Sequence, residues 1–329
     1  MKKFMNAVDS MVAESLEGFV AAHEQLIAFG AGRKFVRRRT LTTGKVAIIS
    51  GGGAGHEPMH TGFVGPGMLD AACTGHIFTS PTPDQIVAAI EETDTGAGCL
   101  LMVKNYDGDV MNFEMAAEMA AAHHAIDMVV VKDDVAHGSR SQGRRGVAGT
   151  LIVEKLIGAS AENGAKLQDL KALGDGLNHR IRSMGVALRG VAVPNTRRET
   201  SVLGADEMEM GVGIHGEPGR SREAFTNATE IVEALCTAIL ADMGEVAPAN
   251  ALLFVNGFGG TPSPELYLAY GIARRFLESR GIPVSRSLVG TYVTSLDMAG
   301  LSVTLAMLTD AETALWDAPV STAALNRLR

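Results

Sequence analysis

Three short, continuous runs of apolar residues alternate with longer segments of helical period in the first half of the sequence. The runs are residues 46–49, 99–103 and 128–131, and the segments of helical spacing between them are residues 84–92 and 110–123. A strand that is covered on both faces has no polar side, so a continuous apolar run is typical of a parallel sheet. The pattern therefore predicts βαβ units, in which helices join neighbouring parallel strands.

The second half of the sequence has alternating strands instead. Two more helices, at about residues 146–163 and 167–184, precede the change, which comes at about residue 186. The clearest case is the stretch EMEMGVGIH, whose alternation predicts a half-exposed strand. Its apolar face would hold Met208, Met210, Val212 and Ile214, and its other face Glu209, Gly211, Gly213 and His215. Helices at 222–242 and 265–280 and strands at 251–255, near 289 and at 301–308 complete the pattern.

These elements predict an α/β protein of two packed α/β domains. A chain of 329 residues is too long for one small core. The first domain, residues 1–185, is expected to be three-layered with a mainly parallel sheet and to carry a glycine-rich substrate loop. The second, residues 186–329, is expected to have a smaller mixed sheet with helices. No linker rich in Pro, Ser or Gly separates them, so we expect tight packing between them.

The composition argues against nucleic acid, membranes and disulfides. Lys and Arg number 29 against 37 Asp and Glu, a net charge of −8 that does not suit a phosphate backbone or an anionic membrane. No apolar stretch approaches the ~20 residues that span a bilayer, and the N-terminus lacks the apolar segment of a signal peptide. Cys73, Cys99 and Cys236 are widely spaced and form no zinc motif, which fits a reducing compartment. We expect a cytoplasmic protein.

The glycine run SGGGAGHEP, residues 50–58, directly follows the first apolar strand. Glycines at the end of a parallel strand let the backbone approach a ligand and point N–H groups toward it. The run is not a nucleotide loop, because the spacing of neither the dinucleotide nor the Walker A motif is met. His56 would lie where a general base could meet a hydroxyl. The alternative is a tight turn in which His56 caps a helix.

The stretch VKNYDGD, residues 103–109, follows the next buried strand. Lys104, Asn105, Asp107 and Asp109 place donors and acceptors at the edge where ligands bind in open α/β sheets, and could orient a polyol or hold a metal. The alternative is a polar turn in which Asp109 caps the following helix.

The stretch MGVGIHGEPGR, residues 210–220, surrounds one histidine with glycines. With Gly211 and Gly213 on the same strand face as His215, a groove would lie beside the imidazole, wide enough for a small ligand. The alternative is a structural histidine whose hydrogen bonds are satisfied within the fold.

Three further segments are less specific. Residues 77–85 and 256–267 have the composition of turns and helix starts, with ligand contacts as the alternative to ordinary capping. The arginines of GRRGVAGT, residues 143–150, could meet a partner protein or a phosphate. His60 and His76 are interpreted as neighbours of the site without a role of their own.

Six motifs in order give the chain a resemblance to the substrate-binding subunits of dihydroxyacetone kinases, the DhaK family. They are SGGGAGHEPMHTGFVGPGMLDAA, IFTSPTPDQ, VKNYDGDVMNFEMA, GRRGVAGT, DEMEMGVGIHGEPG and TSLDMAG, and the resemblance covers almost the whole chain. It implies that His215 adds through a ring nitrogen to the ketone carbonyl and holds dihydroxyacetone as a hemiaminal. Glycerol has no carbonyl and could not form this bond.

The resemblance also implies roles for the first-half motifs. His56 and Asp109 would hydrogen-bond the terminal hydroxyl and assist its attack on a phosphoryl group, and neither they nor His215 would need a metal in this chain. Lys104 and the backbone of Gly53, Ala54 and Gly55, up to His56, would hold the substrate.

The resemblance implies a partner, because the nucleotide site of the family lies on a separate helical module that this sequence lacks. We expect no cofactor on this chain. ADP or ATP with Mg²⁺ would sit on a nucleotide-binding helical subunit, itself fed by a protein of the phosphoenolpyruvate-dependent phosphotransferase system. A homodimer is also implied. Residues 193–206 and 133–146 differ from the usual family pattern and leave the substrate open, so a four-carbon ketose such as erythrulose is an alternative.

Two other classes of function remain alternatives. One is a ligand-sensing transcriptional co-regulator that binds dihydroxyacetone without phosphorylating it. The other is a ketone- or sugar-binding protein that has no kinase partner. Retention of His56, Asp109 and His215 together favours the kinase subunit, because a sensor could keep His215 and lose the other two.

Overall fold

The structure is a computed structural model that describes residues 2–137, 143–194, 202–244 and 250–327. The chain forms two compact units, each assembled from separate stretches of sequence. Unit 1 comprises residues 1–131, 152–176 and 315–329, and unit 2 comprises residues 132–151 and 177–314. Residue 185, where the sequence suggests a boundary, lies inside a strand of unit 2.

Unit 1 is built around a six-stranded sheet of order β1-β2-β4-β3-β5-β6. Strands β4, β3, β5 and β6 are parallel to one another, and β1 and β2 are joined on antiparallel, so the prediction of a mainly parallel sheet is confirmed. The strands are β1 Ile27–Phe29, β2 Val36–Arg38, β3 Ala47–Ala54, β4 Ala71–Ile77, β5 Cys99–Lys104 and β6 Ile126–Val131. The helices are α1 Met11–Ala22, α2 Pro83–Thr93, α3 Asp107–Ala120, α4 Gly149–Glu162 and α5 Leu167–Leu177, of which α4 begins, and α5 ends, in unit 2.

Helices cover both faces of this sheet. Leu101 and Val103 of β5 pack with α2 and α3 in one apolar cluster. On the opposite face, Gly174 of α5 approaches Val129 of β6 so closely that a Cβ at Gly174 would lie 2.5 Å from Val129. Burial on both faces explains why these strands are continuous apolar runs in the sequence.

The C-terminal segment of the chain belongs to unit 1. It contains a two-stranded sheet of β13 Val320–Ser321 and β14 Asn326–Arg327. Ser321 N–H donates to Pro66 O, and Ala324 N–H donates to Gly62 O, both at 2.9 Å. Trp316 is buried. The segment therefore packs on the loop that follows β3.

Unit 2 has a mixed six-stranded sheet of order β11-β10-β12-β7-β8-β9, in which only β10 and β11 are parallel neighbours. This confirms the mixed sheet with helices. The strands are β7 Ile181–Arg189, β8 Glu207–Met210, β9 Ser221–Ala224, β10 Asn250–Gly257, β11 Val284–Gly290 and β12 Ala299–Leu308. The helices are α6 Ala228–Met243, α7 Ser263–Glu278 and α8 Asp310–Asp317, the last of which ends in unit 1. Apolar residues of α6 and α7 pack on β10 and β12.

Three sequence-based assignments are wrong. The helix expected over residues 167–184 ends at Leu177, and strand β7 begins at Ile181. The strand predicted through residue 215 ends at Met210, because Gly211 has a φ of +74°, outside the extended region. The predicted half-exposed face is absent from β8, since Glu209 is buried like Met208 and Met210. The helix expected from residue 222 begins at Ala228, where Asn227 caps it by accepting the Glu230 N–H at 3.1 Å, and Ser221–Ala224 forms β9.

Among the described residues, no helix has both the length and the apolar character that a membrane span requires.

Candidate functional site

The glycine run lies within strand β3, and neighbouring groups fill the space that side chains would occupy. A Cβ at Gly51 would lie 2.5 Å from Cys73 O, one at Gly52 would lie 2.3 Å from Lys104 Nζ, and one at Gly53 would lie 2.5 Å from Thr79 N. The sequence suggests an open loop after the strand, but the run is part of the strand itself. Its glycines let a buried strand pack against its neighbours, and Gly52 leaves room for an ammonium group.

His56 follows this strand and is fully buried. Its ring stacks on Phe78, with 5.1 Å between the ring centroids and 23° between the planes. Gly55, with a φ of +102°, turns the chain after β3, and its N–H donates to Glu57 Oε2 at 2.9 Å. Phe78 N–H donates to Ala54 O at 2.9 Å, which fixes the loop after β4 to the end of β3.

Lys104, the last residue of β5, and Asp109, in the first turn of α3, lie at the same edge of the sheet. Lys104 Nζ is 3.5 Å from Asp109 Oδ2 and donates to Gly51 O at 3.3 Å. The N-cap residue of α3 is Tyr106, so Asp109 is not a cap; it lies in the first turn and is 3% exposed. Because β3 and β5 are parallel neighbours, their carboxyl ends place these groups and His56 at one edge of unit 1.

Two further buried side chains extend this group, and the sequence gives neither a role. His60 Nε2 lies 2.9 Å from Lys104 Nζ, and His60 Nδ1 lies 2.6 Å from Glu154 Oε1 on α4. Burial and the charge of Lys104 lower the pKa of His60, and Glu154 and Asp109 oppose the shift only in part. His60 is therefore neutral at pH 7. Glu154 lies 94 residues from His60 in sequence, so no local pattern could have paired them.

His215 lies in unit 2, in a turn, with 19% of its side chain exposed. Its backbone N–H donates to Glu217 Oε2 at 3.0 Å, and its Nδ1 lies 2.9 Å from Glu217 Oε1. Burial by itself raises the pKa of Glu217, but the hydrogen bond and charge of His215 and the charge of Arg145 outweigh it and lower the pKa to about 2. Glu217 is thus a carboxylate at neutral pH, and Nδ1 carries the proton that it accepts.

The space at Gly213 is occupied by this carboxylate. A Cβ at Gly213 would lie 2.0 Å from Glu217 Oε2 and 2.5 Å from Arg145 Nη1. The sequence suggests that Gly213 makes room for a ligand. In the structure it makes room for the Glu217 carboxylate, which orients His215. Arg145 in turn donates to Asp134 Oδ2 at 2.7 Å and to Gly211 O at 2.8 Å, which fixes it behind the turn.

The remaining segments singled out in the sequence make contacts within the fold. Thr82 and Gln85 form a capping box at the start of α2, and Asn256 Oδ1 accepts the N–H groups of Tyr292 and Val293. The two arginines of residues 143–150 meet carboxylates of the same chain, because Arg144 pairs with Asp242 as Arg145 does with Asp134. Residues 138–142 and 195–201, within the two segments that differ from the family pattern, lie outside the described residues.

No group of three or more His, Cys, Asp or Glu side chains within the described part of the chain is arranged to hold a metal ion.

The chain matches known proteins along nearly its full length. The model of the Dak1 domain matches residues 17–324. A protein of Listeria innocua, the dihydroxyacetone-binding subunit DhaK of a PTS-dependent dihydroxyacetone kinase, is 46% identical over 94% of this chain and 95% of the relative.

Two solved structures extend this similarity to the fold. The dihydroxyacetone kinase operon co-activator DhaQ superposes with a TM-score of 0.90 at 34% identity, covering 94% of this chain and 97% of the other. The dihydroxyacetone kinase of C. freundii superposes with a TM-score of 0.86 at 35% identity, covering 98% of this chain but 60% of that longer one. These structures confirm the fold class predicted from the sequence.

Proposed function

The chain belongs to the Dak1 domain family, and from this membership we propose that it is the dihydroxyacetone-binding subunit of a dihydroxyacetone kinase. One observation carries the proposal: Glu217 holds Nδ1 of His215 as a hydrogen-bond donor. In a neutral imidazole with the proton on Nδ1, the Nε2 atom has a lone pair in the ring plane. His215 is therefore prepared as a nucleophile in the motif where the family resemblance places one.

The first step proposed is reversible addition to the ketone. The lone pair of His215 Nε2 forms a bond to the carbonyl carbon, the carbonyl π electrons move to oxygen, and that oxygen takes up a proton from water, while the Nδ1 proton of the ring passes through the Glu217 carboxylate to the hydroxide that remains. Positive charge that develops on the ring is stabilised through Nδ1–H by the Glu217 carboxylate. Arg145 and Asp134 keep that carboxylate in place. The product is a hemiaminal that leaves both terminal hydroxyls unreacted.

The second step proposed is phosphoryl transfer to a terminal hydroxyl. His56 and Asp109 are proposed as the groups that accept its proton, and Lys104 with the backbone of residues 53–55 as the groups that hold the substrate. A substrate oxygen at Gly55 N–H would compete with Glu57, which accepts that hydrogen bond here.

The nucleotide and its Mg²⁺ are proposed to lie on a separate helical subunit. The glycine run supports this, because it is packed inside a sheet and does not form a loop that could surround phosphates. The L. innocua relative is named as PTS-dependent, which supports a phosphoenolpyruvate-dependent phosphotransferase protein as the source of the phosphoryl group. The homodimer also stays a prediction.

The test is calorimetric titration with dihydroxyacetone and, separately, with glycerol. We expect wild type to bind the ketone and not glycerol at the same concentrations, and the His215→Ala variant to lose most of the ketone affinity. His179→Ala is the matched control, since His179 is an exposed histidine of the same unit. A tetrahedral carbon in the ¹³C spectrum of bound [2-¹³C]dihydroxyacetone would identify the hemiaminal. Equal binding of the ketone by wild type and His215→Ala would exclude it.

A second candidate function is a dihydroxyacetone sensor that acts on transcription. It is favoured by the similarity to the co-activator DhaQ, whose fold superposes over almost the whole chain. The two functions predict the same binding data but different turnover. A sensor would bind the ketone without supporting its phosphorylation when mixed with the nucleotide-binding subunit and the phosphotransferase proteins of its own organism.

A further inference from the structure

Four buried polar side chains of unit 1 form one connected chain: Glu154, His60, Lys104 and Asp109. Each is 5% exposed or less. The proposed function assigns roles to Lys104 and Asp109 and none to the other two. Buried charges of this kind are costly to desolvate and do not by themselves stabilise a fold. A contribution to stability therefore does not explain why these four side chains are buried together.

The donors and acceptors in this chain have one consistent assignment. The ammonium group of Lys104 has donors only, so His60 Nε2, 2.9 Å away, must accept. The ring proton is then on Nδ1 and is donated to Glu154 Oε1 at 2.6 Å. Ser50 Oγ, 3.0 Å from the same Nδ1, donates to Met102 O at 2.9 Å. Burial and the charge of Lys104 lower the pKa of His60, in agreement with a neutral ring.

This assignment accounts for all three N–H groups of Lys104. Nζ has three acceptors within reach, which are Gly51 O at 3.3 Å, His60 Nε2 at 2.9 Å and Asp109 Oδ2 at 3.5 Å. The contact with His60 is the shortest of the three. Without it, one N–H would lose its acceptor, and the ammonium would move toward the Asp109 carboxylate. A closer ion pair makes that carboxylate a weaker base.

We propose that Glu154 and His60 are positioning residues for phosphoryl transfer: Glu154 anchors the ring of His60 by accepting its Nδ1–H, and His60 holds Lys104 at its present distance from Asp109. This inference rests on the proposed function, since it concerns the use of Asp109 as a base. It adds two residues that touch neither the substrate nor the nucleotide and act through Lys104.

The first measurement needs no substrate. In ¹⁵N-histidine NMR spectra of the full chain at pH 7, with the His60 signals assigned by their loss in His60→Gln, we expect a protonated Nδ1 and a bare Nε2. In Glu154→Gln, the tautomer that Lys104 requires should persist, but the Nδ1 resonance should shift because its hydrogen-bond acceptor is no longer charged. A wild-type ring that is protonated on Nε2, or on both nitrogens, would overturn the assignment.

The second measurement separates positioning from stability. With the nucleotide-binding subunit present, kcat of Glu154→Gln and His60→Leu should fall on the order of 10- to 100-fold, a larger change than the rise in KM and in the Kd for dihydroxyacetone that follows because Lys104 also holds the substrate. His60→Gln, which restores an acceptor for Lys104, should recover part of kcat. The control is Glu162→Gln, another acid of helix α4, whose partners are Arg38 and Lys45. It should lower stability and leave kcat unchanged.

The outcomes distinguish the two proposals. If wild type binds no ketone or supports no turnover, the proposed function fails and the positioning role fails with it. If wild type is active and kcat of both Glu154→Gln and His60→Leu matches that of Glu162→Gln, the function stands and the positioning role is overturned.

Discussion

Replacing Glu217 with glutamine tests whether its carboxylate orients the nucleophile. Glu217 accepts hydrogen bonds from the backbone N–H of His215 at 3.0 Å and from its Nδ1 at 2.9 Å. Glutamine has nearly the same shape but no charge, and its amide can also donate to Nδ1. A ring that accepts at Nδ1 carries its proton on Nε2 and has no lone pair there to add to a carbonyl.

The size of the effect follows from these bonds. A hydrogen bond to a charged group contributes about 1.5–3 kcal/mol, and each 1.4 kcal/mol is about a factor of ten in affinity. If the amide oxygen of the glutamine keeps the bond from the backbone N–H and only the charge-assisted bond from Nδ1 is lost, Kd for dihydroxyacetone should rise about 10- to 150-fold. The Kd of a ligand without a carbonyl should not change in this way.

The assay is calorimetric titration of wild type, Glu217→Gln and Glu312→Gln. Glu312 is the control, because it is a buried carboxylate of the same unit and, like Glu217, accepts a side-chain and a backbone hydrogen bond, here from Arg180 and from the N–H of Thr309. Its variant should bind like wild type even if it is less stable. Equal affinity of wild type and Glu217→Gln, together with weak binding by His215→Ala, would refute an orienting role for Glu217.

Three further predictions concern stability and reactivity. The pKa of Glu217 is about 2 in the folded chain against a usual 4.5. Its contribution of roughly 3 kcal/mol to the free energy of unfolding is therefore fully present above about pH 4.5 and is lost as the pH falls toward 2. The free energies of unfolding of wild type and Glu217→Gln, measured in urea, should converge over this range, and parallel pH curves would contradict the shift. Gly52→Ala should lower the free energy of unfolding by about 1–3 kcal/mol because its Cβ would meet Lys104 Nζ. The control, Gly18→Ala in helix α1, has nothing within 4 Å of its new Cβ and should raise the free energy of unfolding by about 0.5–1 kcal/mol. Effects of the same sign in urea unfolding would show that the space at Gly52 is not limiting. Cys73, Cys99 and Cys236 are buried, and burial raises the pKa of each thiol. A thiol reagent at neutral pH should therefore react slowly with the native chain and rapidly after unfolding. Equally fast reaction in both states would contradict their burial.

The parallel strands of unit 1 could be predicted because a strand that is buried on both faces consists of consecutive apolar residues, which are visible in the sequence. Residues 99–103 and 128–131 lie in β5 and β6, and the helices between the strands are where helical spacing places them. The antiparallel strands β1 and β2 were missed. Each has three residues, and β2 consists of one valine and two arginines, so neither has enough residues to display a period.

The sequence predicts which residues gather at the candidate site better than it predicts what each of them contacts. His56, Lys104 and Asp109 were expected at one sheet edge, because parallel strands end together, and they lie there in unit 1. The glycines were misinterpreted as room for a ligand, since a sequence shows that a side chain is missing but not what fills the space. Glu154 was missed because its partner His60 is far away in sequence, and only folding brings them together.

The division of the chain into units has a consequence for the order of its synthesis. Unit 1 contains residues 315–329, which leave the ribosome after all of unit 2 has been made. Until they arrive, Pro66 O and Gly62 O lack the N–H donors of Ser321 and Ala324. The loop that carries His56 and His60 therefore reaches its final packing late, and a nascent chain arrested before Trp316 should expose this loop to proteases although most of the sheet around it is already complete.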